Sequence, residues 1–296
     1  MPASTQLGPT LFIAVFALLG LLVGSFLNLL IHRLPRMLQA QWAAQCAEMA
    51  GTPMPTVTAP RFNLMLPRSR CPQCARQLLW FQNVPLLSYL ALRGRCACCR
   101  QPIGIRYPVV ELASAAFFML AASRHGATPA ALLWSACASI LIAQFCIDLD
   151  TQLLPDDLNY PLLWTGLLAA TLGWIALPLP SALWGAMLGY ASLWTVTQAH
   201  RLLTGRTGMG NGDFKLLAAL GAWFGADHLV ALILLSSVAG SVVGGALLLS
   251  GKIAGRQVAI PFGPFLAGAG LLAIAAGPGR LERWLPMLFP FSGMAG

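Results

Sequence analysis

The sequence predicts an all-α, polytopic membrane protein of about eight transmembrane helices, interrupted by one small cytoplasmic insertion. Three observations predict it. Only 9% of the 296 residues are charged and 57% are hydrophobic, against about 25% charged in a soluble domain, so there is too little charge to face water over a chain of this size. Apolar runs of about 20 residues recur, the length that crosses the hydrocarbon of a bilayer. One long polar stretch, 33–107, holds ten of the 18 Lys and Arg residues.

The first apolar run, Leu11 to Ile31, is followed by His32, Arg33 and Arg36. The residues before it carry no basic charge, unlike the start of a signal peptide, so a retained spanning helix with a basic stop is expected. Three regions result: a first span (1–32), the cytoplasmic insertion (33–107) and a transmembrane core of about seven spans (108–296). The spans are expected at 11–32, 108–123, 129–147, 159–176, 181–200, 214–225, 229–250 and 260–278, with 214–225 short enough to be tilted or a half-span. Basic residues gather on the cytoplasmic side of membrane proteins, which places the Arg-rich insertion there. Arg201, Arg206, Lys252 and Arg256 put the loops 201–213 and 251–259 on the same side, while Arg124, Arg280 and Arg283 fall outside. The net charge of +9 is therefore read as setting orientation; the expected partner is the lipid bilayer, and nucleic acid is not expected. Gly240, Gly244 and Gly245 are read as sites of close helix packing.

Five of the nine acids lie in two short segments at expected membrane edges: Asp148, Asp150, Asp156 and Asp157 in one, Asp213 in the other. An ionisable group at membrane depth is costly and marks a functional site by default. Two carboxylates brought together there share a proton, giving one acid and one base. The base can activate water while the acid polarises a peptide carbonyl. Gly208, Gly210 and Gly212 alternate directly before Asp213, and Lys215 follows it. Glycines at such a place let backbone approach backbone or substrate where a Cβ would clash. Two other readings stay open. Asp156, Asp157 or Asp213 can serve as helix caps. The acids can also line an ion path, which would make the chain a polytopic ion-coupled transporter or channel with a regulatory metal module. His32, His125, His200 and His228 are scattered, and no Ser/His or Cys/His arrangement competes.

Within the insertion the cysteines read Cys71-x2-Cys74-x21-Cys96-x2-Cys99. Two such pairs on two turns supply four thiolates to one tetrahedral zinc ion. A four-cysteine site keeps no open position, so the zinc is read as structural. Arg70, Arg76, Arg95 and Arg100 flank the pairs and favour the thiolate form. Cys98 is left out of this pairing, and Cys46, Cys137 and Cys146 read as ordinary cysteines. Disulfides are the competing use, which the cytoplasmic placement argues against.

Six segments in order carry a resemblance. Gly24-Ser-Phe-Leu-Asn28 with His32-Arg33-Leu34-Pro35, the four cysteines, Arg106-Tyr107-Pro108-Val-Val-Glu111-Leu112, Asp148-x6-Pro155-Asp156, Gly208-x-Gly210-x-x-Asp213-Phe-Lys215 and Ile260-Pro-Phe-Gly-Pro264 resemble the bacterial type IV prepilin peptidases, bifunctional leader peptidase/N-methyltransferases. The resemblance implies Asp148 and Asp213 as the catalytic pair, in the manner of intramembrane aspartic proteases of the GxGD type. Asp150 competes for the first position, but Asp148 has the family's spacing to Pro155. It further implies type IV prepilins and type II secretion pseudopilins as substrates, and S-adenosylmethionine as methyl donor for the new N-terminus. The implied location is the bacterial inner membrane, with active site and zinc segment facing the cytoplasm. Asn28, Arg33 and Glu111 are the candidates for methyl transfer, each with a structural alternative as interhelical contact, basic anchor or buried partner.

Overall fold

The structure is a computed structural model that describes residues 8–51, 62–71, 73–79, 84–205, 208–251 and 261–277. Arg61, Arg206, Lys252, Arg256, Ile260, Arg280 and Arg283 lie outside the described residues, as do both end residues of the expected span 260–278. Among the described residues the chain is helical, without a strand, and divides into two compact units, 1–126 and 127–296.

The first unit contains α1 (Pro9–Met49), α2 (Leu87–Ala91) and α3 (Arg106–His125). At 41 residues α1 is about 60 Å long by the rise of an α-helix, twice the thickness of a bilayer core. It runs straight through the basic stop at residue 32, where the first span was expected to end. Residues 37–49 are mostly Ala, Gln, Leu, Met and Glu, all strong helix formers, and Pro35 removes one hydrogen bond without ending the helix. The polar insertion thus begins as a continuation of the first helix. Gly20 and Gly24, one turn apart, bring α1 against α3: a Cβ on either would stand 2.6 Å from the Cα of Ala115 or Glu111. This spacing of small residues is what allows helix backbones to touch in lipid.

The second unit contains α4 (Pro129–Thr151), α5 (Asp156–Thr171), α6 (Leu179–Thr204), α7 (Asn211–Phe224), a 3-10 turn (Ala226–His228), α8 (Leu229–Leu249) and α9 (Gly263–Ala276). Helices therefore stand at all eight positions where spans were expected. Among the described residues three segments, Pro9–Met49, Pro129–Thr151 and Ala226–Leu249, are long and apolar enough to cross a membrane. The short one, α7, is about 21 Å long against a hydrocarbon core of about 30 Å. It is apolar all round and buried from Asp213 to Phe224 save Lys215, as a helix at the centre of a bundle must be. It packs mainly against α6 and α5. Gly185 of α6 and Gly221 of α7 face each other so closely that a Cβ on either would strike the other's carbonyl. On the opposite side Gly166 of α5 makes room for the indole of Trp223, whose Nε1 donates to the Leu162 carbonyl at 2.8 Å. On α8, Gly240 meets the ring of Phe265, Gly244 is buried, and Gly245 has nothing within 4 Å of a Cβ among the described residues.

Candidate active site and metal centre

The apolar run of α4 carries the helix past its expected end at 147, so Asp148 occupies its last turn. Gln152 closes the helix in the left-handed conformation (φ 55°, ψ 34°), its N–H donating to the Asp148 carbonyl at 2.9 Å. Pro155, fixed near φ −61°, then opens α5. Asp148 is 4% exposed, whereas Asp150 is exposed.

Asp213 is the third residue of α7. Its carboxylate reaches back to accept from the backbone N–H of Gly210, the residue that caps the helix. That is one half of a capping box, so the cap reading of Asp213 is correct as far as it goes. A solvated cap would be satisfied by water. Asp213 is instead 8% exposed, and its Oδ1 is buried without a hydrogen-bond partner among the described residues.

Both carboxylates line one cavity of about 220 Å³. Its walls are Gln152 and Leu154 after α4, Gly208, Met209, Gly210 and Gly212 before Asp213, and Pro261 and Phe262 before α9. Asp148 is near enough for its charge to act on Asp213. The three glycines singled out in the sequence are thus cavity wall, and Asp150 is not. Gly212 also seats α7 on the turn after α4, since a Cβ there would lie 2.7 Å from the Cβ of Leu154. Lys215 stays outside the cavity. Its Nζ donates to both carboxylate oxygens of Asp156, at 2.8 and 2.6 Å, and stands 5.2 Å from the ring centre of Tyr160.

Three residues beside the site had no role assigned from the sequence. Gly263, at the start of α9, gives its backbone N–H to the Asp148 carboxylate. Gln144, one turn before Asp148, donates from Nε2 to Oδ1 of Asn159 at 2.7 Å, and Asn159 Nδ2 reaches the Leu154 carbonyl at 3.4 Å. Gln144 and Asn159 are 0% and 1% exposed. A lone Gln inside a long apolar run was the available signal, because a buried amide must be paired.

In the first unit, Asn28 Nδ2 donates to the Tyr107 carbonyl at 3.0 Å. Arg33 is buried; its guanidinium donates to the carbonyls of Asn63 at 2.8 Å and Pro67 at 2.6 Å, and lies 5.8 Å from the Phe62 ring centre. Glu111 is buried and accepts from the Leu86 N–H at 2.9 Å and from Ser25. Asn28 and Glu111 share the α1–α3 seam, while Arg33 holds the 63–67 loop.

The cysteine pairs sit on two turns of the same construction. Cys71 N–H donates to the Arg76 carbonyl and Cys96 N–H to the Gln101 carbonyl, each at 2.9 Å. Ala75 and Arg100, the residues after each pair, adopt φ 57° and 56°. Bridges Arg70–Gln77 and Arg95–Pro102 close the two turns in the same register. The Sγ atoms of Cys71, Cys74, Cys96 and Cys99 all lie within 4.8 Å of one another, with Cys71 and Cys99 at 3.8 Å. A zinc–sulfur bond of about 2.3 Å gives a tetrahedron with edges of about 3.8 Å, so the four sulfurs fit that ion. Cys98 is exposed and lies outside the cluster, and all eight cysteines are unbridged. Backbone N–H groups of Cys98 and Cys99 aimed at the Cys96 sulfur hold its thiol down to about 6. At Cys74 the Arg76 N–H pulls the same way, but desolvation and the neighbouring sulfurs of Cys71 and Cys99 outweigh it and push the thiol up to about 12. Four sulfurs so placed could hold a metal ion.

Known proteins show the family to which these residues belong. Residues 18–125 match the Bacterial Peptidase A24 N-terminal domain, and residues 135–245 match the Type IV leader peptidase family. The chain is 48% identical over 270 residues to a protein of Pseudomonas putida named prepilin leader peptidase/N-methyltransferase, covering 91% of this chain and 92% of the relative. Proteins of the same name from Pseudomonas aeruginosa (47% identical; 91% and 92% covered) and Aeromonas hydrophila (46% identical; 93% and 94% covered) are similar along the same length. No solved structure matches the chain. With near full-length likeness to these relatives and a family match that spans both aspartates, this chain belongs to the type IV leader peptidase family.

Proposed function

We propose that the chain is an aspartic endopeptidase that removes the basic leader of type IV prepilins and type II secretion pseudopilins, then N-methylates the new N-terminal residue. The observation that carries the reading is the cavity in which Asp148 and Asp213 stand together, with the Gly208–Gly212 segment as a wall. One aspartate takes a proton from water as the oxygen attacks the scissile carbonyl carbon. The other gives its proton to the carbonyl oxygen, and the amide C–N bond then breaks as the amine leaves with a proton. The glycines admit an extended backbone, the substrate's apolar helix docks laterally from the bilayer, and its basic leader stays in the cytoplasm. Lys215 braces the first turns of α5 and α7 from outside.

In this reading the eight helices other than α2 traverse or enter the inner membrane, as a first span (1–32), a cytoplasmic insertion (33–107) and a core (108–296), with dyad and zinc turns facing the cytoplasm. Cys71, Cys74, Cys96 and Cys99 hold one zinc ion, whose full coordination gives it a structural duty. S-adenosylmethionine supplies the methyl group. Asn28, Arg33 and Glu111 belong to that second site as braces, since each is bonded to backbone. The ion-coupled transporter or channel considered from the acids alone is not favoured, because full-length relatives carry the peptidase name.

The test is incubation of the purified protein with a prepilin, with and without S-adenosylmethionine, read by mass spectrometry of the product. Cleavage in both tubes and methylation only with the donor is the expected result. An intact prepilin in both would overturn the proposal.

A further inference from the structure

Asp148 is held from α9 as well as by its own helix. The backbone N–H of Gly263 is hydrogen-bonded to its carboxylate. The approach is so close that a Cβ on Gly263 would stand 2.5 Å from Oδ2 and 3.0 Å from Cγ of Asp148, and 2.8 Å from Cδ1 of Leu154. Real Cβ atoms do not come that near another atom, so with a side chain here the Asp148 carboxylate, the Leu154 side chain or the start of α9 must shift. Gly263 has an ordinary right-handed backbone, so neither a turn nor strain explains a glycine there; only the closeness to Asp148 and Leu154 does. Pro261 and Phe262, directly before it, are walls of the cavity.

We infer that Gly263 is a positioning residue for the reaction. It fixes the Asp148 carboxylate toward Asp213 by one backbone hydrogen bond and by the absence of a side chain. The amino end of α9 is thereby a third structural support of the dyad, besides α4 and α7. The inference rests on the reading of Asp148 as catalytic.

The experiment compares prepilin cleavage by the full-length protein and by Gly263→Ala, Gly268→Ala, Gly270→Ala and Asp148→Asn variants. Gly268 and Gly270 lie on the same helix away from Asp148. A Cβ at Gly268 meets Phe145 at an ordinary 3.6 Å, and one at Gly270 crowds Leu220 at 2.7 Å, so Gly270→Ala disturbs packing without touching the dyad. Displacing a reacting group by about 1 Å costs up to roughly a hundredfold, so Gly263→Ala is expected to lose about ten- to a hundredfold in kcat with KM unchanged. Its kcat–pH profile should be displaced, and Gly268→Ala and Gly270→Ala should keep the original profile. Gly263→Ala with wild-type kcat and pH profile overturns the inference, as does an equal loss with an unmoved profile in Gly270→Ala. If Gly263→Ala does not fold, Leu154→Ala is combined with it to remove the second clash. The double variant should be as stable as Leu154→Ala alone yet slower, and equal kcat in the two would overturn the inference. Full processing by Asp148→Asn would instead remove the catalytic reading itself, whatever Gly263→Ala does.

Discussion

Nζ of Lys215 lies 2.6 Å from Oδ2 of Asp156, which ties the first turn of α7 to the first turn of α5. Asp213 is two residues before that lysine, so the ion pair sets where the amino end of α7 sits against the turn that follows Asp148. The pair is partly exposed, at 27% and 46%, and such bridges contribute about 0.2–1 kcal/mol. A double-mutant cycle of Lys215→Ala and Asp156→Ala, read by denaturation in detergent, should give a coupling inside that range. Cleavage by Lys215→Ala should be slowed but present, unlike that of a dyad variant.

Asp148→Asn and Asp213→Asn should each abolish prepilin cleavage, since loss of a general acid or base costs about 10²–10⁴-fold. Both proteins should still insert in the membrane. Asp150 is exposed and does not line the cavity, so Asp150→Asn should cleave at close to the wild-type rate. Equal loss in Asp150→Asn and Asp148→Asn would undo the assignment of the first aspartate.

The pair Gln144–Asn159 is buried, joins α4 to α5 and holds the Leu154 carbonyl beside the cavity. Removing one partner strands the other in an apolar interior, at a cost of about 1–3 kcal/mol. Gln144→Leu should therefore lower the melting temperature, and Gln144→Leu with Asn159→Leu should recover much of that loss. No difference between the single and double variants would mean that the amides are not coupled.

Zinc content measured on purified protein should be one ion per chain, and Cys71→Ser or Cys99→Ser should release it. The sign of the pH effect follows from the thiols. Without metal at neutral pH, Cys96 is a thiolate, its thiol held down to about 6, while Cys74, pushed up to about 12, keeps its proton. At Cys99 the Gln101 N–H lowers the thiol, but desolvation and the sulfurs of Cys96 and Cys71 outweigh it and raise it. Binding must then expel protons from Cys74 and Cys99, so affinity should fall as pH is lowered. Titration calorimetry in buffers of different ionisation enthalpy measures the released protons; none released would contradict thiolate ligation.

Much of the architecture is written locally. The eight helices at the expected span positions were legible because hydropathy over a span is a one-dimensional property, and the cysteine pairs were legible because two turns of fixed length must each present two sulfurs. The helix ends were less legible: α1 continues to Met49 because residues past the membrane edge remain good helix formers, and hydropathy does not report helix propensity. The Gly20–Gly24 and Gly185–Gly221 seams were also hidden, since a glycine's partner is a backbone elsewhere in the chain.

By itself, then, the sequence determined that the protein is helical and membrane-like, that two acids sit at helix ends, and that four cysteines form two matching turns. Only the tertiary structure decided that Asp148, and not Asp150, shares a cavity with Asp213, that Lys215 reaches Asp156 instead of the cavity, and that Gly263 touches the Asp148 carboxylate. The physical reason is range. Propensity, hydropathy and turn chemistry act over a few neighbouring residues, whereas a hydrogen bond or a steric contact acts only across the last few ångströms after helices distant in the chain have packed.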